Sequence, residues 1–133
     1  AVEGKNKYYS MNSFNPRIKE VTQMIEIEWK IGFLEKYKHL KGLFEKLNER
    51  SKGILVIFGS YARGTPTRNS DLDVFLIGTC SDIDDLETLY TIKINLIVSE
   101  KREFNKNETF IKEIISNHII LRGAEEFVEL AWQ

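Results

Sequence analysis

The sequence predicts an α/β fold: a small mixed sheet of three to four strands, flanked by helices and preceded by an N-terminal helical arm. Between about residues 16 and 50, apolar residues recur every three or four positions, which is typical of helices. Later come short runs rich in β-branched residues, typical of strands, at 54–58, 71–77 and 90–98. Helix-like segments separate these runs, and such alternation indicates an α/β domain.

The composition is that of an ordinary globular protein, with 133 residues of which 42% are hydrophobic and 29% charged. The net charge of −1 gives no overall electrostatic reason to expect nucleic acid. The single cysteine, Cys80, excludes an internal disulfide and a cysteine zinc site. Neither a membrane-length apolar run nor a signal-peptide pattern is present, so we expect no membrane association and a cytoplasmic location.

Residues 1–14 leave two interpretations open. A Gly-Lys-Asn turn signal followed by the segment KYYSM predicts half of a β-hairpin whose other half would precede Ala1. The alternative is a polar tail. Because the first residue is not Met, the chain is either trimmed from a longer protein or has lost only its initiator Met.

Asn15-Pro16 predicts the start of a helical arm over residues 15–50, because Pro is favoured at the first helical position. Met24 and Ile27 widen its apolar stripe beyond one face. We therefore expect the arm to contact more than one neighbour, including a second chain. Gly32 and Gly42 are predicted break points, giving either two helices at about 16–31 and 33–50 or one kinked helix.

Residues 51–133 predict the main domain. Its predicted strands lie at 54–58, 71–77, 90–98 and 118–121. Its predicted helices are a short one after residue 58, an acidic one within 79–89, and two longer ones at 100–117 and 123–132. A loop at 65–69 connects the first helix to the second strand.

The segment GSYARG, at 59–64, follows a predicted buried strand and opens a short helix. A Gly-Ser turn at a helix start offers free backbone N–H groups to a phosphate. Asp71 and Asp73 stand two residues apart on the next strand, so their side chains are expected on one face. Paired carboxylates are unfavourable unless a cation lies between them, and hard divalent cations prefer oxygen ligands. Together these features predict a site for a metal-bound nucleoside triphosphate.

The string GSYARG…SDLDVFLI resembles the signature of the nucleotidyltransferase superfamily related to DNA polymerase β, above all the minimal nucleotidyltransferases of archaea and bacteria. The resemblance covers about 51–100 well and the final helices loosely. It implies a nucleotidyltransferase fold and transfer of a nucleoside monophosphate from an NTP to an acceptor hydroxyl, which in this family includes protein side chains. The matching residues are Gly59, Ser60, Arg63, Gly64, Ser70, Asp71 and Asp73.

The resemblance also implies individual roles. Gly59 and Ser60 would hold the triphosphate of the nucleotide, with ATP the expected NTP. Asp71 and Asp73, the expected catalytic pair, would hold Mg²⁺, which bridges the phosphates and offsets the charge that develops on them. Arg63 would support the phosphates or fix the loop.

Three further side chains near the motif have weaker assignments. Arg68 is a second candidate for binding phosphate. Ser70 matches the signature and so belongs to the nucleotide-binding set, and it is expected to cap or orient the turn at Asp71. Tyr61 follows Ser60 and would lie beside the nucleotide, either stacking on its base or packing in the core.

One position departs from the family pattern. Active members carry a third carboxylate on the following strand, and the matching position in KINLIV is Asn95. An amide cannot accept a proton as a general base and is a weaker metal ligand than a carboxylate. Whether the chain is an active enzyme therefore stays open. The alternative is a catalytically impaired, nucleotide-binding regulatory module, linked to DNA binding or to a toxin–antitoxin pair.

The resemblance implies partners of two kinds. Some members are fusions to an N-terminal winged-helix domain, and residues 1–14 resemble its wing, so DNA is expected only if such a domain precedes Ala1. A protein partner or a second copy of the chain would bind through the helical arm at 16–50. Neither His39 nor His118 has a metal-ligand partner at helix or strand spacing.

Overall fold

The computed structural model describes residues 16–132, so the predictions for residues 1–14 lie outside the described part of the chain. The helices are α1 Pro16–Lys36, α2 Lys41–Arg50, α3 Gly59–Arg63, α4 Asp84–Tyr90, α5 Thr109–Ser116 and α6 Ala124–Trp132. The strands are β1 Ser51–Phe58, β2 Leu72–Cys80, β3 Ile94–Ser99 and β4 Ile119–Arg122. Short 3-10 turns occupy Lys38–Leu40 and Lys101–Glu103.

The four strands form one mixed sheet in the order β3-β2-β1-β4, which confirms the predicted α/β class. β1 pairs antiparallel with both β2 and β4, whereas β2 and β3 run parallel. β1 is central and buried on both faces over residues 54–58. This burial explains why that segment is apolar throughout rather than alternating.

Each face of the sheet packs against its own helices. On one face, side chains of β1 and β2 meet the end of α1 together with α2 and α4, in a core that includes Phe33, Leu43, Leu47, Leu55, Val74 and Leu86. On the other face they meet α5 and α6, in a core that includes Val56, Phe75, Ile114, Phe127 and Val128. Alternation along β2 therefore sends Asp73 to the same face as Phe75.

The predicted break of the arm at Gly32 is wrong. α1 runs through Gly32 to Lys36, and the helix stops at Tyr37, whose backbone leaves the helical region. Tyr37 is buried, and its ring lies 4.9 Å from that of Phe33. An interior glycine costs a helix only about 1 kcal/mol, so packing at Tyr37 rather than propensity at Gly32 sets the boundary.

The predicted bounds of several other elements also change: β1 begins at Ser51 rather than at residue 54, and β2 ends at Cys80 rather than at residue 77. β3 begins at Ile94 rather than at residue 90, because Tyr90 ends α4 and Thr91 caps that helix with a left-handed backbone, φ 51°. The helix predicted over 100–117 is shorter. Its first part is a 3-10 turn with a capping box between Glu100 and Glu103, and α5 begins only at Thr109.

A buried polar pair joins α1 to the residue directly before β4. Glu26 of α1 and His118 are both fully buried, and the His118 Nε2 lies within hydrogen-bonding distance of a Glu26 carboxylate oxygen. The Nδ1–H of His118 donates to the carbonyl of Ile114 at 2.8 Å. Because a carbonyl only accepts, Nδ1 carries a hydrogen and fixes the ring orientation.

None of the helices in residues 16–132 combines the length and the apolar character that a membrane span requires.

Candidate active site

Gly59, the first residue of α3, sits directly against the carboxylate of Asp73. Its φ is +68°, a conformation that side chains with a Cβ rarely adopt. A Cβ placed there would lie 2.1 Å from Oδ2 of Asp73. The chain therefore needs glycine for its backbone conformation and for its close approach to Asp73.

The short helix α3 is closed by the second glycine of the motif. Gly64 adopts a left-handed backbone with φ +78°, and its N–H donates to the carbonyl of Tyr61 at 3.2 Å. The N–H of Thr65 donates to the carbonyl of Ser60 at 3.0 Å. Glycine is the usual residue at such a helix end. The two glycines of the motif thus begin and end a single helical turn.

Asp73 also contacts the next strand of the sheet. In the antiparallel ladder it pairs with Phe58, and in the parallel ladder it pairs with Asn95. The Asn95 Nδ2 donates to Oδ1 of Asp73 at 3.0 Å. One carboxylate oxygen therefore faces Gly59 and the other accepts from Asn95.

Asp71 lies just before β2 rather than within it, because Leu72 is the first residue of the ladder. The Leu72 N–H donates to the carbonyl of Lys93 at 2.8 Å. Asp71 lines a polar cleft of about 420 Å³ together with Ser70 and Arg68. The predicted strand start at residue 71 is thus one residue too early. That the side chains of Asp71 and Asp73 converge on one metal stays a prediction.

Ser70 closes the turn immediately before Asp71. Its hydroxyl oxygen accepts from the N–H of Thr67 at 2.8 Å, and the Ser70 N–H donates to the Thr67 carbonyl at 3.1 Å. These two bonds fix the backbone just before Asp71. Ser70 is therefore placed to orient the entrance to the carboxylate pair.

The two arginine candidates lie in different places. Arg68 lines the cleft that holds Asp71. Arg63, at the end of α3, is exposed, and its guanidinium lies 4.0 Å from the carboxylate of Glu113 on α5. Arg68, the weaker of the two arginines predicted from the sequence, is thus the one that shares a cleft with Asp71.

Among the cleft residues that the sequence did not assign to the site are Lys93, Tyr90 and His39. Lys93 immediately precedes β3, and the parallel register pairs Leu72 with Ile94. The residues just before each strand, Asp71 and Lys93, therefore lie side by side. Only knowledge of that register would have revealed this proximity.

Tyr61 lines the same cleft, with its ring half-buried. Burial raises the pKa of Tyr61 above its ordinary value, and the neighbouring Tyr37 raises it further. Its hydroxyl is therefore protonated at neutral pH and can donate a hydrogen bond to a ligand in the cleft.

The donor set suits a magnesium ion that arrives with a nucleotide. Asp71 and Asp73 supply carboxylate oxygens, and neither forms a salt bridge with another residue in the described range 16–132. Over the same residues, no cluster of three or more His, Cys, Asp or Glu side chains could hold a metal by itself. Mg²⁺ commonly binds through one or two carboxylates plus substrate phosphates rather than in an all-protein cage.

Comparison with known proteins identifies the family. A family model described as a nucleotidyltransferase domain matches residues 40–122. The chain belongs to the nucleotidyltransferase family. The matched residues of this nucleotidyltransferase include α2, β1 with its Gly-Ser turn, Asp71, Asp73 and all of β3.

A curated relative and two solved structures are similar to this nucleotidyltransferase. A putative protein adenylyltransferase of Methanocaldococcus jannaschii is 33% identical over 98 residues, covering 63% of this chain and 95% of the relative. A chain from a crystal structure of a toxin–antitoxin with AMP-PNP has a TM-score of 0.51 at 19% identity, covering 68% of this chain and 77% of its own. A chain from a toxin–antitoxin MntA–HpeT mutant has a TM-score of 0.48 at 16% identity, covering 71% and 79%.

At 19% identity, the likeness to the first of these structures concerns the fold alone. That likeness and the family match together confirm the nucleotidyltransferase resemblance that GSYARG and SDLD suggested.

Proposed function

We propose that this nucleotidyltransferase binds an NTP with Mg²⁺, ATP in the first instance, and transfers its nucleoside monophosphate to an acceptor hydroxyl. The observation that carries the proposal is the contact between Gly59 and Asp73. It brings the turn suited to phosphates against a carboxylate suited to the metal. The similarity to a putative protein adenylyltransferase supports ATP as the nucleotide and a protein as the acceptor.

Each residue of the site has a defined part in this proposal. Asp71 and Asp73 would hold Mg²⁺, and the ion, when bound, supplies positive charge to the phosphates of the nucleotide. Gly59 and Ser60 would hold the triphosphate through backbone N–H groups and the hydroxyl. Arg68 and Lys93, which lie in the cleft with Asp71, add positive charge that attracts the phosphates.

Asn95 orients Asp73 but adds no base. Its amide donates to Oδ1 of Asp73, which holds the carboxylate in one rotamer. It has no proton-accepting nitrogen that could activate a hydroxyl. This observation favours a second candidate function: a catalytically impaired nucleotide-binding regulator that works with a protein partner, as in a toxin–antitoxin pair.

A partner surface for either function is present on the arm. Four apolar side chains of α1 are about half or more exposed: Val21 (47%), Met24 (68%), Ile27 (50%) and Ile31 (54%). Exposed apolar residues grouped on one helix are typical of interaction surfaces. We propose that a protein partner or a second copy of the chain binds there, and that the protein works in the cytoplasm.

The test is transfer of label from α-labelled ATP to protein acceptors in the presence of Mg²⁺, with candidate partner proteins included. Asp73→Asn is expected to abolish labelling. Asp82→Asn, the same change at an exposed loop position, is the matched control and is expected to retain it. If the unaltered protein transfers no label but still binds ATP in a Mg²⁺-dependent way, the transferase proposal fails and the regulator proposal is favoured.

A further inference from the structure

A second concavity lies between the arm and the end of α3, and neither Asp71 nor Asp73 lines it. Its volume is about 240 Å³. Four aromatic rings line it: Trp29 and Phe33 from α1, Tyr37 directly after α1, and Tyr61 from α3. Such a density of rings suits a flat aromatic ligand, which stacks on aromatic faces.

Two cations also line this aromatic pocket, and both are exposed. The Lys36 Nζ lies 3.5 Å from the carbonyl oxygen of Gly64 and 5.5 Å from the centroid of the Tyr37 ring. The Arg63 guanidinium lies 4.0 Å from the carboxylate of Glu113. These contacts are long, so each cation retains capacity to bind an anion.

Tyr37 contributes its ring to the aromatic pocket and carries a buried hydroxyl that is unpaired within residues 16–132. Its side chain is 7% exposed, and its hydroxyl is buried without a hydrogen-bond partner among the described residues. Buried hydroxyl groups in proteins are nearly always paired, because an unpaired one has lost its water without replacement. Its neighbour in the aromatic pocket, Tyr61, lies 5.2 Å away between ring centroids. Because the hydroxyl itself is inaccessible, a ligand in the pocket would contact the Tyr37 ring rather than this oxygen.

We propose that the aromatic pocket binds a planar aromatic ring that carries an anionic group, the chemistry of a purine nucleoside monophosphate. Sites for whole drug-sized ligands usually measure about 300–1,000 Å³, so this smaller pocket takes the ring and leaves the anion at the opening. Lys36 and Arg63 then pair with the anion. The proposal does not depend on nucleotidyl transfer, since the pocket uses neither of the two carboxylates nor a metal.

A ligand in the pocket would contact the same helix that carries the Gly-Ser turn. Arg63 ends α3 and Gly64 caps it, and the same five-residue helix begins with Gly59 and Ser60. A ligand that holds Arg63 and Lys36 therefore restrains the helix that carries the proposed triphosphate turn. The ring belongs either to the substrate NTP or to a separate nucleotide.

Gly32 provides a way to fill the pocket without disturbing the fold. It lines the pocket within α1, and a Cβ placed on it would meet no atom within 4 Å. Leucine at this position adds bulk to the cavity and also favours the helix more than glycine does. Gly32→Ala is the matched control, because it improves the helix while leaving most of the cavity open.

The experiment titrates AMP in EDTA, by calorimetry and by the fluorescence of Trp29 in a Trp132→Phe background, which leaves one tryptophan. We expect AMP to bind the unaltered protein and Gly32→Ala, and to bind Gly32→Leu about tenfold more weakly or worse. Adenosine and ribose 5-phosphate, which each lack half of the recognised chemistry, are expected to bind weakly. Circular dichroism checks that Gly32→Leu remains folded.

A Lys36→Gln/Arg63→Gln double variant provides a second test that adds no bulk. It should weaken AMP and leave adenosine unchanged. No binding of AMP to the unaltered protein, or equal binding to Gly32→Leu, overturns the proposal. If saturating Mg-ATP displaces AMP, the pocket holds the base of the substrate. If both bind at once, the pocket holds a separate nucleotide. Either result supports the proposal that the pocket binds a nucleotide ring. Because the titration contains no metal, its failure is distinct from failure of the transfer assay.

Discussion

Asn95 donates a hydrogen bond from its Nδ2 to Oδ1 of Asp73, at 3.0 Å, across the parallel pair of β2 and β3. A carboxylate in place of that amide would put two like charges in contact, and one of them would tend to stay protonated unless a cation lay between them. The amide therefore places a neutral hydrogen-bond donor, rather than a second charge, against Asp73. Compared with the carboxylate of the family pattern, Asn95 also lacks a group that could serve as general base.

Asn95→Asp is predicted to increase nucleotidyl transfer and to make stability depend on Mg²⁺. A general base typically contributes about 10²–10⁴-fold to a rate, so a gain of tenfold or more is expected. In EDTA, the new like-charge contact should lower the melting temperature relative to the unaltered protein, and Mg²⁺ should restore it. Labelling rates and thermal melts with and without Mg²⁺ provide the measurement. An inactive Asn95→Asp with an unchanged melt would refute this role for the position.

Gly59→Ala is predicted to destabilise the fold and to weaken ATP binding. The left-handed backbone alone costs a residue with a Cβ about 1–2 kcal/mol, and the contact with Asp73 Oδ2 adds to this. Urea denaturation and ATP titration measure the two effects. Gly32→Ala is the control, because its added methyl group meets open space in a helix, and it should leave stability unchanged or raised. Equal stability for the two variants would contradict the geometry at Gly59.

Glu26→Ala is predicted to lower the free energy of unfolding by weakening the attachment of α1 to the rest of the fold. Removing one member of a buried polar pair typically costs about 3–5 kcal/mol, because the Nε2 of His118 would lose its bond to Glu26 while staying buried. Urea denaturation followed by circular dichroism measures the loss. Glu28→Ala, two residues away on the exposed side of α1, is expected to change stability by no more than about 0.5 kcal/mol. A loss that is equally small for Glu26→Ala would show that the pair does not fasten the arm.

The contribution of Asp85 to stability is predicted to depend on acid pH. Arg50 donates to Asp85 from Nη2 at 2.9 Å, and this hydrogen bond lowers the pKa of Asp85 below its ordinary value of 3.8. A lowered folded-state pKa stabilises the fold at pH values above the ordinary one, and this contribution disappears as the pH falls through the lower folded value. Asp85→Asn should therefore lower the melting temperature at pH 7 but not in strong acid.

Asp84→Asn is the control for that experiment, because both residues lie in the first turn of α4 and lose the same interaction with the helix dipole. A melting-temperature difference between the two variants that did not shrink in acid would rule out the Arg50 pair as its source.

The sequence predicted what depends on local chemistry. The Gly-Ser turn after β1 and the carboxylates at the start of β2 were visible because short-range spacing encodes them. The end of α1 was not predictable from propensity, since burial of Tyr37 decides it. Nor was the pair of Glu26 and His118, which are 92 positions apart.

Lys93 illustrates the same limit within the site. Its place beside Asp71 follows from the register of two parallel strands, which no local pattern in the sequence specifies. The aromatic pocket likewise combines residues of α1 and α3, which are separated along the chain by α2 and β1.

Binding of ATP, measured by calorimetry with Mg²⁺ and again in EDTA, tests most directly whether Gly59, Ser60, Asp71 and Asp73 form one nucleotide site. We predict saturable binding with Mg²⁺, weakened about tenfold or more by EDTA or by Asp73→Asn and unchanged by Asp82→Asn. ATP binding that is indifferent to both Mg²⁺ and Asp73→Asn would contradict the account.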